Sequence, residues 1–94
     1  MADVYILFSS SLNRYYIGSC REIMVRLEQH LSKSLGKAFT SQASDWVIFL
    51  LIEGLEYEQA RKVEAHIKRM KSRKYIEDLK KYPEMQKRLI ALYN

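Results

Sequence analysis

Five side chains spread along the sequence are of the kinds that could cut a phosphodiester bond: Tyr5, Tyr16, Arg26, His30 and Glu64. Such a cut requires a group that activates water, a cation that holds the charged transition state, and a metal that polarises phosphate oxygens. Tyrosine or histidine, arginine and a carboxylate supply these parts. A metal held by the one carboxylate of this set would keep several waters, which is the habit of magnesium. Two-metal chemistry would ask for more converging carboxylates than the chain offers. Taken singly, each residue also has a plain structural reading. The tyrosines could be packing residues, Arg26 and His30 a solvated helix face, and Glu64 an exposed partner for Lys68.

These residues need elements to position them. Residues 4–8, Val-Tyr-Ile-Leu-Phe, are β-branched and aromatic and read as a buried strand. A polar turn over 9–14 leads to Tyr15-Tyr16-Ile17-Gly18, a second strand that makes the pair a hairpin. Ser19 precedes Glu22 by three residues, the pattern of a capping box, and predicts a helix over about 20–32 with Ile23, Leu27 and Leu31 buried. Arg26 and His30, four apart, share a face of it. Residues 34–45 read as a loop. The apolar run 46–52 is expected to be the central strand, covered on both faces and ended by Gly54. The strongest helix spans 56–72, with Ala60, Val63, Ile67 and Met70 as its core stripe and Glu64 beside it. A shorter helix over 73–81 follows, and Pro83 opens a last one to about residue 93.

Length and composition bound the rest. With 94 residues, 48% of them apolar, the chain suits one compact domain over 1–94, with a core at about 4–80 and a helical extension at about 83–93. Its longest apolar run is far shorter than the ~20 residues of a membrane-spanning helix, and no secretory signal is expected at its start. The single cysteine, Cys20, excludes an internal disulfide and points to a reducing compartment, the cytoplasm. It reads as a small packing residue rather than a nucleophile, and His66 reads as a surface residue. Charge is unevenly placed. Residues 1–60 hold five Lys/Arg against seven Asp/Glu, whereas 61–94 hold eleven against four. A basic half on a small domain is the electrostatic footprint of a polyanion.

Val4-Tyr5 followed by Tyr16-Ile17-Gly18 resembles the paired signature of GIY-YIG nucleases. The downstream order is also similar: Arg26-Leu27 and His30 on one helix, then Ala60 and Glu64 on the next, then the basic stretches Ile67-Lys68-Arg69 and Arg73-Lys74. The resemblance covers about residues 4–80 and is to the short, single-domain members, similar to the N-terminal nuclease domain of bacterial excision-repair nucleases. It implies a small α/β (α+β) fold with a three-stranded antiparallel sheet flanked by helices. It further implies a metal-dependent endonuclease acting on nucleic acid, DNA before RNA, in repair or recombination. Tyr5 or His30 would help to activate water, with Tyr16 hydrogen-bonded nearby. Arg26 would stabilise the pentacoordinate phosphate, and Glu64 would hold Mg2+ or Mn2+. Gly18 would be a close-approach residue at the end of the second strand. The first glycine of the signature is Asp3 here, at what reads as the strand's edge and so of little consequence.

Lys68, Lys71, Arg73 and Lys74 are the expected contacts to the phosphate backbone, which position a substrate without reading its sequence. The rival readings are a nucleic-acid-binding module of the same fold without turnover, and an interaction domain of a repair complex, with a protein partner supplying specificity.

Overall fold

A computed structural model of the chain describes residues 1–21 and 45–94. Three strands, β1 (Ala2–Ser9), β2 (Arg14–Cys20) and β3 (Trp46–Leu55), precede three helices, α1 (Tyr57–Met70), α2 (Arg73–Lys81) and α3 (Pro83–Leu92). The strands form an antiparallel sheet of order β2-β1-β3. This is the expected α+β architecture.

The expected central strand is not the observed one. β1 lies in the middle, and among the described strands β3 pairs with β1 alone. Val47 and Ile48 of β3 are 58% and 39% exposed. The reason lies in the register. Ile6 pairs with Leu50 but Leu7 pairs with Ile48, so Phe49 is an extra residue in β3. The bulge resets the alternation, and Phe49 and Leu50 both pack against the helix-side core. An apolar run that reads as covered on both faces is instead an irregular strand. A second irregularity falls between the pairs Ala2–Leu55 and Val4–Ile52. There Gly54 takes φ +75° inside the strand, and its N–H donates to Asp3 Oδ1 at 3.1 Å. Gly54 therefore does not end β3. Asp3 stands near the start of β1, as expected, but is not without consequence: it is buried and satisfies a bulge amide.

β2 also runs further than expected, through Cys20, with Ser19 opposite Val4 and Asp3 opposite Cys20. Ser19 is thus a strand residue rather than a helix cap, and the predicted helix does not begin at Cys20. The remainder of that helix, with Arg26 and His30, lies outside the described residues, as does the loop as far as residue 44.

The sheet's two faces have different tenants. On one, Ala2, Val4, Ile6, Ile52 and Leu55 pack against Ala60, Val63 and Ile67 of α1, with Ile76, Leu79 and Leu89 from the later helices. Met70, expected in that stripe, is 45% exposed because α1 ends there, with Lys71 at φ 47° in the left-handed C-cap. On the other face Tyr5 and Leu7 gather Tyr16, Cys20, Trp46 and Leu51. Cys20 is a packing residue, as expected.

Local chemistry fixes the ends of the elements. Gln59 Oε1 accepts from the Glu56 N–H before α1, and the Ser72 hydroxyl accepts from the Tyr75 N–H at the start of α2. Pro83 stands in the first turn of α3, as expected. His66 is not a plain surface residue: its Nδ1 lies 2.8 Å from the Tyr93 hydroxyl and ties α1 to the end of α3. Asp45, just before β3, collects the β1–β2 turn. Its carboxylate accepts from the hydroxyls of Ser9 (2.6 Å), Ser10 (2.9 Å) and Ser11 (3.0 Å) and from the Ser11 N–H (2.8 Å).

Candidate active site

The two signature tyrosines meet on the face of the sheet away from α1. Tyr5 of β1 is directly opposite Gly18 of β2. A Cβ placed on Gly18 would lie 2.5 Å from the Tyr5 hydroxyl oxygen. The phenol therefore lies flat across the strand, and only glycine leaves room for it. Tyr16, two residues earlier on the same face, stacks beside Tyr5 with ring centroids 6.4 Å apart and planes 23° from parallel. The Trp46 ring meets Tyr16 edge-on at 6.4 Å. The expected close approach at Gly18 is therefore present, although the strand continues past it.

Glu64 comes to the sheet from the opposite side. It lies in the third turn of α1, and its Oε1 accepts a hydrogen bond from the Ser19 hydroxyl. Strand alternation makes this meeting possible: Gly18 faces Tyr5, and the next side chain, Ser19, faces the helix. The tyrosine pair and the carboxylate thus flank adjacent residues of the outer strand. Glu64 Oε2 receives the Lys68 ammonium at 2.7 Å, one helical turn on. Ser19 escaped the sequence reading because its serine–glutamate spacing matched a helix cap. Its actual partner is 45 residues away.

Basic side chains continue from this carboxylate along β2. Lys68 shares a hollow of about 270 Å³ with Tyr15, Tyr16 and Ile17. A neighbouring groove of about 350 Å³ has Arg14, Lys68, Lys71 and Arg73 among its lining residues. Of the four expected phosphate contacts, Lys68 and Lys71 line the groove freely or in part. Arg73 lines it too but is committed to the fold. It donates to the Asn13 carbonyl (3.3 Å) and Oδ1 (2.8 Å), and it sits 5.4 Å from the Tyr15 ring centroid. Lys74 is not among the lining residues and pairs with Asp78 at 3.5 Å. Arg14, which no sequence motif singled out, is also among the lining residues. Burial pushes the Tyr15 phenol above its ordinary value, with the Glu77 carboxylate adding to the effect. Tyr15 therefore remains a hydrogen-bond donor at neutral pH.

The donor set at Glu64 suits a hard divalent cation. It offers carboxylate and hydroxyl oxygens, and the Glu64 side chain is 20% exposed, so water can complete a coordination shell. Among the described residues no group of three or more His, Cys, Asp or Glu gathers.

A hairpin-led antiparallel sheet followed by three helices forms a small α+β domain. The family model for the GIY-YIG catalytic domain matches residues 1–76, and the chain belongs to the GIY-YIG family. That family is one of nucleases, generally hydrolytic and generally using a divalent metal. No curated protein and no solved structure matches the chain.

Proposed function

We propose that this chain is a metal-dependent endonuclease that hydrolyses phosphodiester bonds in nucleic acid, DNA before RNA, with a role in repair or recombination in the cytoplasm. One observation carries the reading: the Glu64 carboxylate is held at the β2 edge by Ser19, at the head of a groove with Arg14, Lys68 and Lys71 in its lining. Glu64 would hold Mg2+ or Mn2+, with the Ser19 hydroxyl orienting its carboxylate. Such an ion, when bound, polarises phosphate oxygens and stabilises the charge of the transition state. Tyr5 or His30 would help to activate the attacking water, with Tyr16 hydrogen-bonded nearby. Arg26 grips the pentacoordinate phosphate, for which its planar fork is suited. The groove cations hold the phosphate backbone without distinguishing ground from transition state. Residues 1–94 act as one unit, with α3 as an extension braced on α1 and α2. A protein partner would supply selectivity for a substrate structure.

A second reading also has an observation in its favour. With Ser19 on one oxygen and Lys68 on the other, both oxygens of the Glu64 carboxylate have partners without a metal. The same fold could therefore bind nucleic acid and not cut it. Incubation with duplex, nicked, branched and single-stranded DNA and RNA in Mg2+ or Mn2+ separates the two. Cutting that disappears on chelation supports the nuclease; binding without cutting on every substrate supports the binding module.

A further inference from the structure

The groove with Arg14 and Lys71 in its lining lies on one side of Glu64 only. Tyr57, Arg61, Glu64 and Lys68 follow one another at i, i+4, i+7 and i+11, and so share one face of α1. Contacts along that face agree: the Arg61 guanidinium donates to the Tyr57 hydroxyl at 3.4 Å, and Lys68 pairs with Glu64. β2 runs beside this face in the opposite direction. Asn13, before β2, meets Arg73 beyond the end of α1, Ser19 meets Glu64 in the middle, and Arg21, just past β2, meets Tyr57 at the start of α1. Glu64 is therefore near the midpoint of a strip, seven residues on from Tyr57 and seven before Lys71, the cap of the helix, or about 10 Å on either side.

At the Tyr57 end two like charges are gathered on one ring. The Arg21 guanidinium carbon is 4.7 Å from the Tyr57 ring centroid and that of Arg61 is 5.8 Å. Neither guanidinium has a carboxylate at ion-pairing distance among the described residues. Tyr57 and Arg61 line a hollow of about 470 Å³ with Lys62 and a single carboxylate, Glu58. Two planar forks held near one aromatic ring have the geometry that phosphate oxygens accept from.

We propose that Arg21, Arg61 and the Tyr57 ring that orders them form a second phosphate-binding site. It engages the nucleic acid backbone on the side of the cut opposite to the Arg14–Lys71 groove. This site rests on the nuclease reading above. The backbone passes over Glu64 with cations gripping it on both sides, so the bond at the centre is held at two points rather than at one end.

The test uses the full-length Glu64→Gln protein and a labelled oligonucleotide duplex, with binding measured over a range of salt concentrations. Removing one cation from a duplex phosphate backbone should lower the slope of log affinity against log salt by about 0.9, so Arg21→Gln with Arg61→Gln should lower it by about 1.8. Arg61→Lys, which keeps the charge, should keep most of the slope. Thermal melts check that the variants are folded. Phosphate-ethylation interference should lose its signal on one flank of the site in the Arg21/Arg61 variant and on the other flank in an Arg14/Lys71 variant. If the Arg21/Arg61 variant keeps the parent slope and both flanks while the Arg14/Lys71 variant flattens it, the Tyr57 cluster is only a packing feature and the nuclease reading stands. If the parent binds no nucleic acid at all, the nuclease reading fails and this site fails with it.

Discussion

Tyr5 and Gly18 stand opposite each other on β1 and β2, and the Tyr5 hydroxyl occupies the space that a side chain at Gly18 would need. Gly18→Ala should therefore force the phenol off the strand. Overpacking of this kind typically costs about 1–3 kcal/mol, to be read from urea denaturation. Pairing it with Tyr5→Ala should recover part of the added cost, since the clash is between these two groups. If Gly18→Ala melts like the parent protein and keeps the Tyr5–Tyr16 stack, the close approach has no energetic weight.

The hairpin was legible in the sequence, because two apolar runs about a polar turn are a local pattern; the close approach at Gly18 was legible only through the family resemblance. The three helices were also legible in the sequence, set by apolar periodicity and by Pro83. What could not be read was contact between distant residues. Asp45 serves three serines more than thirty residues away, and Ser19 serves Glu64 rather than a neighbouring helix. The place of β3 at one side of the sheet was hidden by its apolar content. Its bulge at Phe49 is a matter of register with β1, which composition does not encode.

Asp45 gives the fold a testable acid sensitivity. The Ser9 hydroxyl first, and then the Ser11 N–H and the other serine hydroxyls, hold its carboxyl well below the usual carboxylate range. A carboxyl depressed in the folded state contributes stability that is complete above its unfolded value of about 3.9 and fades as pH falls from there toward the folded value. Asp45→Ala should be less stable than the parent at pH 7, with the gap narrowing below about pH 4. Denaturant melts from pH 7 to pH 3 check this. A gap that stays constant over that range would mean that the carboxylate's charge plays no part.

If Glu64 holds a metal as proposed, Lys68 competes with that metal for its carboxylate. Replacing it with methionine removes an ammonium 2.7 Å from the carboxylate. An exposed pair of this kind is worth up to about 1 kcal/mol, so Mn2+ affinity of the protein without nucleic acid should rise by up to about five-fold. Paramagnetic resonance of free Mn2+ provides the readout. Unchanged or weaker binding would place the metal away from Glu64.

The basic groove should govern affinity. Arg14→Ala with Lys71→Ala should lower the salt slope of binding by about 1.4 to 1.8. Lys74→Ala should leave it unchanged, since Lys74 is paired with Asp78 and does not line the groove. Fluorescence anisotropy across salt concentrations measures both. A larger effect from Lys74 than from the pair would move the nucleic-acid surface onto α2.

On the proposed reading, Glu64 supports metal-dependent cutting. The direct measurement is cleavage of the DNA and RNA panel in Mg2+ or Mn2+ by the parent and by Glu64→Gln, with melts and salt-dependent binding run alongside. The glutamine keeps the volume and can still accept from Ser19, but it loses the anionic ligand. The expected result is that the parent cuts at least one substrate, that Glu64→Gln cuts none, and that the variant folds and binds as before. Equal cutting by the variant, or no cutting of any substrate by the parent, would contradict it.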